Sequence, residues 1–270
     1  MLAYPYGNIK QKISTEHSES MQILRDNFYV DTKYRIIHED EDFLVIDKPA
    51  PLAVHPVGAY SELNLHTLLK NDPRWTECDL KMAHRLDAET SGVLVVAKNY
   101  EAARSLGKQF LQGRVQKEYE AVVFGCPAQA QGEIVFPLGV DDSSGFQTIR
   151  TWDAEHGETA HTKFEVLRSS ACYARVKLMP LTGRTHQLRA HMAFSGHPIV
   201  GDKIYVDLNL FSRYVKGGLD QEILERLKLP RLALHAARLS FEHPRTRTQV
   251  SFSAPLPPLL LDFVLSQGLA

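Results

Sequence analysis

The chain contains 270 residues, with 31 lysines and arginines against 32 aspartates and glutamates and a formal net charge of −1. Hydrophobic residues make up 44% of the sequence and charged residues 23%, close to the average for globular proteins. This composition excludes wholesale disorder, a fibrous repeat and a disulfide scaffold. The length suits one large domain or two modest ones, with enough chain to bury a substantial core.

Three cysteines, Cys78, Cys126 and Cys172, lie far apart and form no C-x-x-C pair. Their number and spacing indicate a reducing compartment and argue against a structural zinc site of the cysteine type. The first residues, MLAYPYGNIKQKIS, lack the long apolar core of a secretory signal. No stretch reaches the roughly 20 apolar residues that a transmembrane helix needs. We therefore expect a cytoplasmic protein.

The first 33 residues are polar apart from the short patch MQIL, and they are too few to form a core of their own. We expect an N-terminal extension over residues 1–33 and one main domain over residues 34–270. At the start of that domain, the segment YRIIHEDEDFLVIDKPA predicts two strands around the acidic turn Glu39–Asp42.

A strand, a helix and a second strand are predicted in the next part of the chain. The apolar run Gly92–Ala97 is short and rich in β-branched residues, which predicts a buried strand. The following helix is predicted to have Asn99 as its N-cap and to stop at Gly113. After it, VQKEYEAVVFG predicts a strand that turns Tyr119 toward the interior, on the same face as Ala121.

The remaining elements are mostly short strands bounded by glycine and aspartate turns. Strands are predicted over residues 133–140, 146–153, 159–168 and 172–179 and in the segments ALHAARLSFEHP and TQVSFSAPLP. Helices are predicted over residues 61–75, 185–194 and 257–267 and in the segment LDQEILERLKL. Because the strands come in runs and do not alternate strictly with helices, we expect an α+β fold with a mixed, mainly antiparallel sheet and flanking helices.

The near-zero net charge hides an asymmetry along the chain. Residues 1–62 carry ten acids and six bases, whereas residues 175–247 carry thirteen bases and six acids, a net of +7. A second basic cluster comprises Arg104, Lys108, Arg114 and Lys117. A one-sided phosphate-binding surface would leave such an asymmetry. On charge alone, however, an ordinary solvated surface is the simpler explanation.

Two polar segments carry residues that suit catalysis. In the first, MAHRLDAETSGVLVVAKN, residues His84, Arg85 and Asp87 lie in a loop directly before the predicted buried strand. A carboxylate beside an arginine at the mouth of a sheet is suited to act as a general base or a nucleophile. The alternative is that Asp87 and Arg85 form a local ion pair or a turn, which is the commoner arrangement for any single aspartate.

The second segment is PLTGRTHQLRAHMAFSGHPIVGDKIY, residues 180–205. On the helix predicted over 185–194, His186 and Arg189 are three residues apart and so share a face. An arginine at this place could hold a carboxylate in a bidentate pair. His186 and His191 are five residues apart and the chain lacks an H-E-x-x-H pattern, which weakens a zinc site. The alternative for these histidines is a role as helix caps or hydrogen-bonded core residues.

Together these segments resemble the RluA family of pseudouridine synthases. HRLD followed by TSGVLVVAK resembles the catalytic-aspartate motif of that family, QKEYEAVVFG its tyrosine motif and PLTGRTHQLRAH its arginine motif. The blocks IIHEDEDFLVIDKPAPLAVHP, GHPIVGDKIY and LALHAARLSFEHP also match. The resemblance covers residues 34–256, with the blocks in the order and spacing of the family, and it implies a pseudouridine synthase fold with a bent sheet.

The activity that the resemblance implies is isomerisation of uridine to pseudouridine in structured RNA, ribosomal or transfer. The base leaves the ribose at N1, rotates and rejoins it through carbon 5. Carried over by motif position, Asp87 is the essential carboxylate, either as nucleophile on the sugar or as base at the 2′ position. Tyr119 is expected under the target base, serving in removal of the carbon 5 proton, and Arg189 is expected to pair with Asp87 and keep it ionised. The leaving and returning groups are the same base, so no cofactor and no metal is expected.

The resemblance also implies how RNA is held. Arg85 is expected to fill the stack when the uridine flips out, a step that costs on the order of a few kcal/mol. The substrate-binding residues implied by the motifs are His84, Arg85, Thr90, Arg184, His186 and Gln187. Residues 1–33 are too short for the separate RNA-binding domain of many family members. Target choice is therefore expected to rest on the main domain, including an insertion at residues 205–231, and we expect a monomer with no membrane partner.

Two other function classes fit parts of the sequence. One is an RNA-binding protein that has lost catalysis, but Asp87, Tyr119 and Arg189 are all present. The other is a metal hydrolase, suggested by the twelve histidines, whose activity chelation would abolish.

Overall fold

The computed structural model describes residues 21–25 and 28–270, and strands are the dominant elements. Within these residues the strands are β1 (Met21–Arg25), β2 (Phe28–Asp31), β3 (Arg35–Glu39), β4 (Phe43–Lys48), β5 (Lys81–Met82), β6 (Ser91–Ala97), β7 (Gln116–Phe124), β8 (Gln131–Ile134), β9 (Leu138–Val140), β10 (Arg150–Trp152), β11 (Thr162–Ser169), β12 (Tyr173–Pro180), β13 (Leu234–Glu242) and β14 (Gln249–Ser253). The α-helices are α1 (Leu65–Lys70), α2 (Tyr100–Leu111), α3 (Gln187–Phe194), α4 (Leu208–Gly217), α5 (Gln221–Leu227) and α6 (Pro258–Ser266). Short 3-10 helices lie at Gly58–Tyr60, Pro73–Trp75 and Asp142–Ser144.

Ten of these strands form one mixed sheet. Its order is β3-β4-β6-β13-β7-β12-β11-β8, with β14 also paired to β13 and β5 to β6. β6 and β13 run parallel through the pairs Ser91–His235 and Gly92–Ala236, and the other pairings in the sheet are antiparallel. Two hairpins, β1–β2 and β9–β10, form separate two-stranded sheets. The expected α+β class with a mixed, mainly antiparallel sheet is therefore confirmed.

Some predicted elements are shorter or broken in the structure. The helix predicted over 61–75 is reduced to α1, because Asn64 caps it through Thr67 N and Pro73 disfavours helix in the residue before it. The strand predicted over 133–140 is divided into β8 and β9, which join different sheets. Pro137 lies between them and has no N–H for a ladder.

The strands β4 and β6 are covered on both faces, which explains the unbroken apolar sequence of β6. On one face, Val93 and Val95 belong to a cluster with Leu106 of α2. On the other, Leu94 belongs to a cluster with Leu69 of α1. All seven residues of β6 are buried, as predicted.

The helix α2 begins and ends as the sequence predicts. The Asn99 side chain accepts a hydrogen bond from Ala102 N at 2.9 Å, which satisfies one of the free N–H groups of the first turn. After Leu111 the chain leaves the helix, and Gly113 adopts the left-handed conformation with φ +66°. The exposed face of α2 is thus held in a fixed position beside β6.

The other half of the sheet has its own core. Leu188 of α3 and Phe263 of α6 belong to one cluster with residues of β7, β12 and β13. Tyr119 on β7 packs against both this cluster and the cluster around Leu94. The junction between the two halves is therefore where the loop before β6 and the loop before α3 come together. None of the helices in the described residues has the length and apolar character needed to cross a bilayer.

The end of the predicted N-terminal extension packs on the main domain. β1 and β2 pair as an antiparallel hairpin. Val30 is fully buried in a cluster with Leu44 and Leu52, and Asp31 N donates to Pro51 O at 3.0 Å. Residues 1–20 and 26–27 of the predicted extension lie outside the described part of the chain.

The parallel contact between β6 and β13 depends on a glycine. Gly92 has φ +111°, and a Cβ there would clash with the backbone of Ala236. We expect Gly92→Ala to lower the free energy of unfolding by about 2 to 3 kcal/mol, because both the conformation and the contact exclude a side chain. Urea unfolding measures this loss.

The matched control is Gly107→Ala on α2. A Cβ at Gly107 meets nothing within 4 Å, so alanine should leave stability unchanged or raise it by up to about 1 kcal/mol. Equal stability of the two variants would contradict the close β6–β13 approach.

Candidate active site

A cleft of about 600 Å³ opens at the junction between the two halves of the sheet. Its walls come from the loop before β6, the end of α2, the strand β7 and the loop before α3. The structure brings all nine predicted site residues to this cleft. They are His84, Arg85, Asp87, Thr90, Tyr119, Arg184, His186, Gln187 and Arg189.

The loop before β6 presents Asp87 to the cleft. Leu86 is buried in the core and anchors the loop, and Thr90 N donates to Asp87 O at 3.1 Å, which closes a turn. The Asp87 side chain retains 22% of its exposure, so a substrate can reach it. Arg189 Nη1 donates to Asp87 Oδ2 at 3.3 Å, and His186 Nε2 lies 3.9 Å from the same oxygen.

The charge state of Asp87 is set by these neighbours. Burial acts to raise its pKa, but His186, Arg189 and Arg85 together outweigh burial, so the pKa of Asp87 lies below the usual value. Burial and Arg189 lower the pKa of His186 to about 4, so this imidazole is neutral near neutral pH. The permanent positive charge beside Asp87 is therefore the guanidinium of Arg189.

A second carboxylate, Asp202, holds that guanidinium in place. Arg189 Nε donates to Asp202 Oδ2 at 2.7 Å and Arg189 Nη2 donates to Asp202 Oδ1 at 2.9 Å, a bidentate pair. Asp202 is fully buried and also accepts hydrogen bonds from Ile204 N and Tyr205 N. Because Nε and Nη2 are used in this way, Arg189 has Nη1 to offer to Asp87.

Tyr119 lines the floor of the cleft from β7. Burial and the nearby Asp87 raise its pKa well above the usual value, so Tyr119 is a neutral phenol in the free protein. Its ring packs on the core clusters of both halves of the sheet, as the predicted strand face requires. The site therefore combines an ionised carboxylate, a buried guanidinium and an aromatic ring.

Residues 42–194 match the model of a family described as RNA pseudouridylate synthase. The chain belongs to this family. A dual-specificity RNA pseudouridine synthase RluA from Pasteurella multocida is 38% identical over 222 residues, which cover 82% of this chain and 92% of that protein. The motif-based assignment to RluA-type pseudouridine synthases, which are isomerases of RNA uridine, is confirmed.

Other relatives are longer than the matched region. A ribosomal large subunit pseudouridine synthase C from the same organism is 37% identical over 227 residues, 83% of this chain and 65% of that protein. The chain thus matches slightly less than two thirds of that relative. Among solved structures, human RNA pseudouridylate synthase domain containing 4 has a TM-score of 0.68 and 28% identity, over 86% of this chain and 92% of that one. This similarity confirms the pseudouridine synthase fold.

Within this family site, the segment around Arg184 is placed differently from the prediction. The helix α3 begins at Gln187 and not at residue 185, and His186 precedes it with φ +54°. The expected sharing of one helical face by His186 and Arg189 is therefore wrong. Both side chains still reach Asp87, with His186 in the left-handed conformation directly before the helix. His191, by contrast, bonds Thr162 Oγ1 and Phe136 O, as expected of a hydrogen-bonded core histidine.

The Gln187 amide is occupied by the protein itself. Its Oε1 accepts from Thr182 Oγ1 at 2.7 Å and Arg184 N at 3.0 Å. Its Nε2 donates to His161 O at 3.1 Å and Thr162 Oγ1 at 3.0 Å. With both ends of the amide used, Gln187 shapes the loop before α3, and its predicted contact with substrate would require these bonds to break.

His84 is also held by the protein. Its Nε2 accepts from Val95 N at 3.1 Å, and its ring stacks on Phe110 with centroids 4.6 Å apart. Burial and the nearby Lys117 lower the pKa of His84 to about 3, so the ring is neutral. Because Nε2 is an acceptor, the proton is assigned to Nδ1, which makes the ring a donor on its other side.

The two arginines predicted to contact substrate, Arg85 and Arg184, differ in whether their guanidinium groups are already bonded to the protein. Arg184 pairs with Glu158 at 2.8 Å and donates to Thr159 O, so its guanidinium is engaged at the rim of the cleft. Arg85 is exposed, and within residues 28–270 its side chain forms no hydrogen bond or ion pair. The local ion pair between Arg85 and Asp87 is therefore not formed, whereas the alternative of a turn at Asp87 is present through the bond from Thr90 N.

Sequence reasoning missed two buried groups behind the site. Asp202 lies in the GHPIVGDKIY block, directly after Gly201, whose φ of +78° and contact with the backbone of Arg231 exclude a side chain. Lys48 is fully buried, and its Nζ donates to Leu52 O at 2.7 Å, Pro49 O at 2.9 Å and Ala88 O at 3.2 Å. Lys48 thereby ties the loop after β4 to the residue that follows Asp87.

A group of three possible metal ligands lies outside the cleft. Within the described residues, Asp40, Asp42 and His243 bring their ligand atoms within 4.8 Å of one another, where two hairpin turns meet. Asp42 is already held by Arg245 through two bonds of 2.9 Å. A guanidinium in that position opposes a bound cation.

The buried pair between Arg189 and Asp202 generates a stability prediction. We expect Asp202→Asn to lower the free energy of unfolding by about 3 kcal/mol, because the guanidinium is left buried beside a neutral amide. Adding Arg189→Met in the same protein should recover part of that loss, since both charges are then removed. Urea unfolding of the single and double variants measures both changes.

Asp207→Asn is the control for this series. Asp207 is the partly exposed N-cap of α4, and asparagine is as good a cap as aspartate, so this change should be nearly neutral. An Asp202→Asn protein as stable as the Asp207→Asn protein would contradict the buried pair.

Proposed function

We propose that this chain converts uridine to pseudouridine in structured RNA, with ribosomal RNA as its target. The observation that carries the proposal is the partly exposed carboxylate of Asp87, kept ionised in the cleft by the buried guanidinium of Arg189. Several similar proteins are named ribosomal large subunit pseudouridine synthases, which supports the choice of ribosomal RNA. Transfer RNA is the alternative target.

In the proposed reaction Asp87 acts on the ribose, as nucleophile at carbon 1′ or as base at the 2′ position. Both roles need a charged oxygen, and Arg189 supplies the positive charge that favours it. The bond between N1 and carbon 1′ breaks, a bond from carbon 5 to carbon 1′ forms, carbon 5 loses a proton and N1 gains one. Atoms and electrons balance within the substrate, so we propose that no cofactor and no metal takes part.

Tyr119 is proposed to lie beneath the base during its rotation. The ring is fixed by the core on both sides, so it offers a flat surface of constant position. Since the phenol is neutral in the free protein, its first role is packing. To take up the carbon 5 proton, the phenol must first lose its own proton, and the charge of Asp87 raises the phenol pKa and so opposes that loss in the free protein.

Access to the base is proposed to occur by flipping. A base paired in a stem cannot enter the cleft, so the nucleotide must leave the stack. Arg85 lines the cleft and is exposed without a partner among residues 28–270, which leaves its planar group available to fill the vacated space. His84, Thr90, Arg184, His186 and Gln187 complete the walls around the flipped nucleotide.

The organisation of the protein is also part of the proposal. We infer that residues 34–270 form the catalytic domain and that residues 1–33 are an extension to it. The enzyme is proposed to act as a monomer in the cytoplasm. The free thiols of Cys78, Cys126 and Cys172 support a reducing compartment.

The decisive variant is Asp87→Asn, which keeps the shape of the side chain and removes its charge. In cells that lack the gene, wild type should restore one or more pseudouridines in large-subunit ribosomal RNA, and Asp87→Asn should restore none. With purified protein, turnover should fall by at least about 1,000-fold. RNA binding should survive, because phosphate contacts provide most of the affinity.

The control is Asp262→Asn, the same change at an exposed site on α6. Pseudouridine formation by Asp87→Asn would overturn the role of Asp87. If wild type restored pseudouridine in transfer RNA alone, the proposed ribosomal target would be wrong. Loss of wild-type activity in the presence of a chelator would support a metal-dependent enzyme instead.

A further inference from the structure

The two basic regions of the sequence differ in how their charges are used. In the insertion at 205–231, Arg213 pairs with both Asp220 and Glu222 at 2.9 Å, and Arg226 lies 3.5 Å from Asp207. These arginines are neutralised by acids of the same insertion. The expectation that this insertion binds RNA through its charge is therefore weakened.

The cations on and just after α2 are unpaired. Arg104, Lys108 and Arg114 are exposed, and their side chains form no hydrogen bond or ion pair within residues 28–270. Lys108 alone would be explained by the preference of helix C-termini for positive charge. That preference explains neither Arg104, in the middle of the helix, nor Arg114, beyond its end.

These cations form a stripe that leads to the cleft. Arg104 and Lys108 are four residues apart on α2, so they lie on one face, about 6 Å apart along the axis. Leu111 follows on the same side, is 89% exposed and lines the cleft. Arg114 follows Gly113 at the end of the helix. A Cβ placed on Gly113 would lie 3.9 Å from Leu181 O, which belongs to the opposite wall of the cleft.

The opposite face of α2 fixes the direction of the stripe. Leu106 is fully buried against β4 and β6. The Gln109 amide donates to Glu242 O at 2.8 Å and accepts from Glu242 N at 2.9 Å, which ties the helix to β13. The helix that carries the stripe is thus held in place by the core and by β13, while the three cationic side chains are exposed.

We propose that Arg104, Lys108 and Arg114 bind the phosphates of the RNA strand that enters the cleft. Arg104 and Lys108, about one helical turn apart, and Arg114 beyond the end of the helix can each contact a different phosphate. Such contacts set the register of a nucleic acid without reading its sequence. The proposal rests on the proposed function, because it assigns the path of the same RNA substrate. It moves the RNA-binding surface from the insertion to the end of α2.

The test replaces the stripe by Arg104→Gln, Lys108→Gln and Arg114→Gln together, since glutamine keeps helix propensity and length. The control is Arg213→Gln, Lys216→Gln and Arg226→Gln, which removes the same number and kinds of charge from the insertion. Binding of a structured ribosomal RNA transcript is measured for both proteins and wild type over a range of salt concentrations.

We expect the stripe variant to bind on the order of tenfold more weakly or worse at low salt. Its slope of log affinity against log salt should be smaller by about 2 to 3 than that of wild type, because three phosphate contacts are lost. Its kcat/KM should fall in proportion to affinity, while the insertion control stays within about twofold of wild type in affinity. An altered salt slope is not a result that a merely structural role of these residues would produce.

An unchanged affinity and slope in the stripe variant would overturn the proposal, as would an equal loss in the insertion control. Failure of the proposed function has a different signature. Wild type would then form no pseudouridine, although its binding could still depend on the stripe.

Discussion

The arrangement of the cleft depends on one physical constraint, which is that the Asp87 carboxylate stays charged although it is partly buried. Burial acts to raise the pKa of Asp87, and Arg189 is the permanent cation that opposes it. A guanidinium buried for this purpose needs a counter-charge of its own, which Asp202 supplies without any exposure to solvent. In the order Asp87, Arg189, Asp202, the outer carboxylate is therefore left partly exposed in the cleft and the inner one is fully buried.

The surrounding elements hold this arrangement at the junction of two half-sheets. Lys48 ties the loop after β4 to Ala88, the residue that follows Asp87. Gln187 closes the loop before α3. Gly92 allows β6 and β13 to approach each other. Each contact joins segments that are distant along the chain, so the geometry of the cleft depends on the completed fold.

Much of the fold could be predicted from the sequence because its signals are local, whereas the members of the site were predicted from the resemblance of the motifs to those of a known family. Strand β6 follows from its apolar run, the start of α2 from Asn99, and the position of Tyr119 from the alternation of β7. The roles of Asp202 and Lys48 could not be predicted, since their partners lie in other elements. The pairing of Arg213 likewise depends on how α4 and α5 meet, so a basic composition alone does not show which cations are already paired within the protein.

The most direct test of the account is the titration of Asp87 itself. The signal is the carboxyl carbon resonance that wild type shows and Asp87→Asn lacks, in protein labelled with ¹³C at aspartate side chains. The account predicts that Asp87 remains ionised at about pH 5 and titrates below the ordinary value of 3.8, and that Arg189→Met moves the titration upward. A wild-type Asp87 that takes up its proton above about pH 5 would contradict the account, because burial would then outweigh the guanidinium.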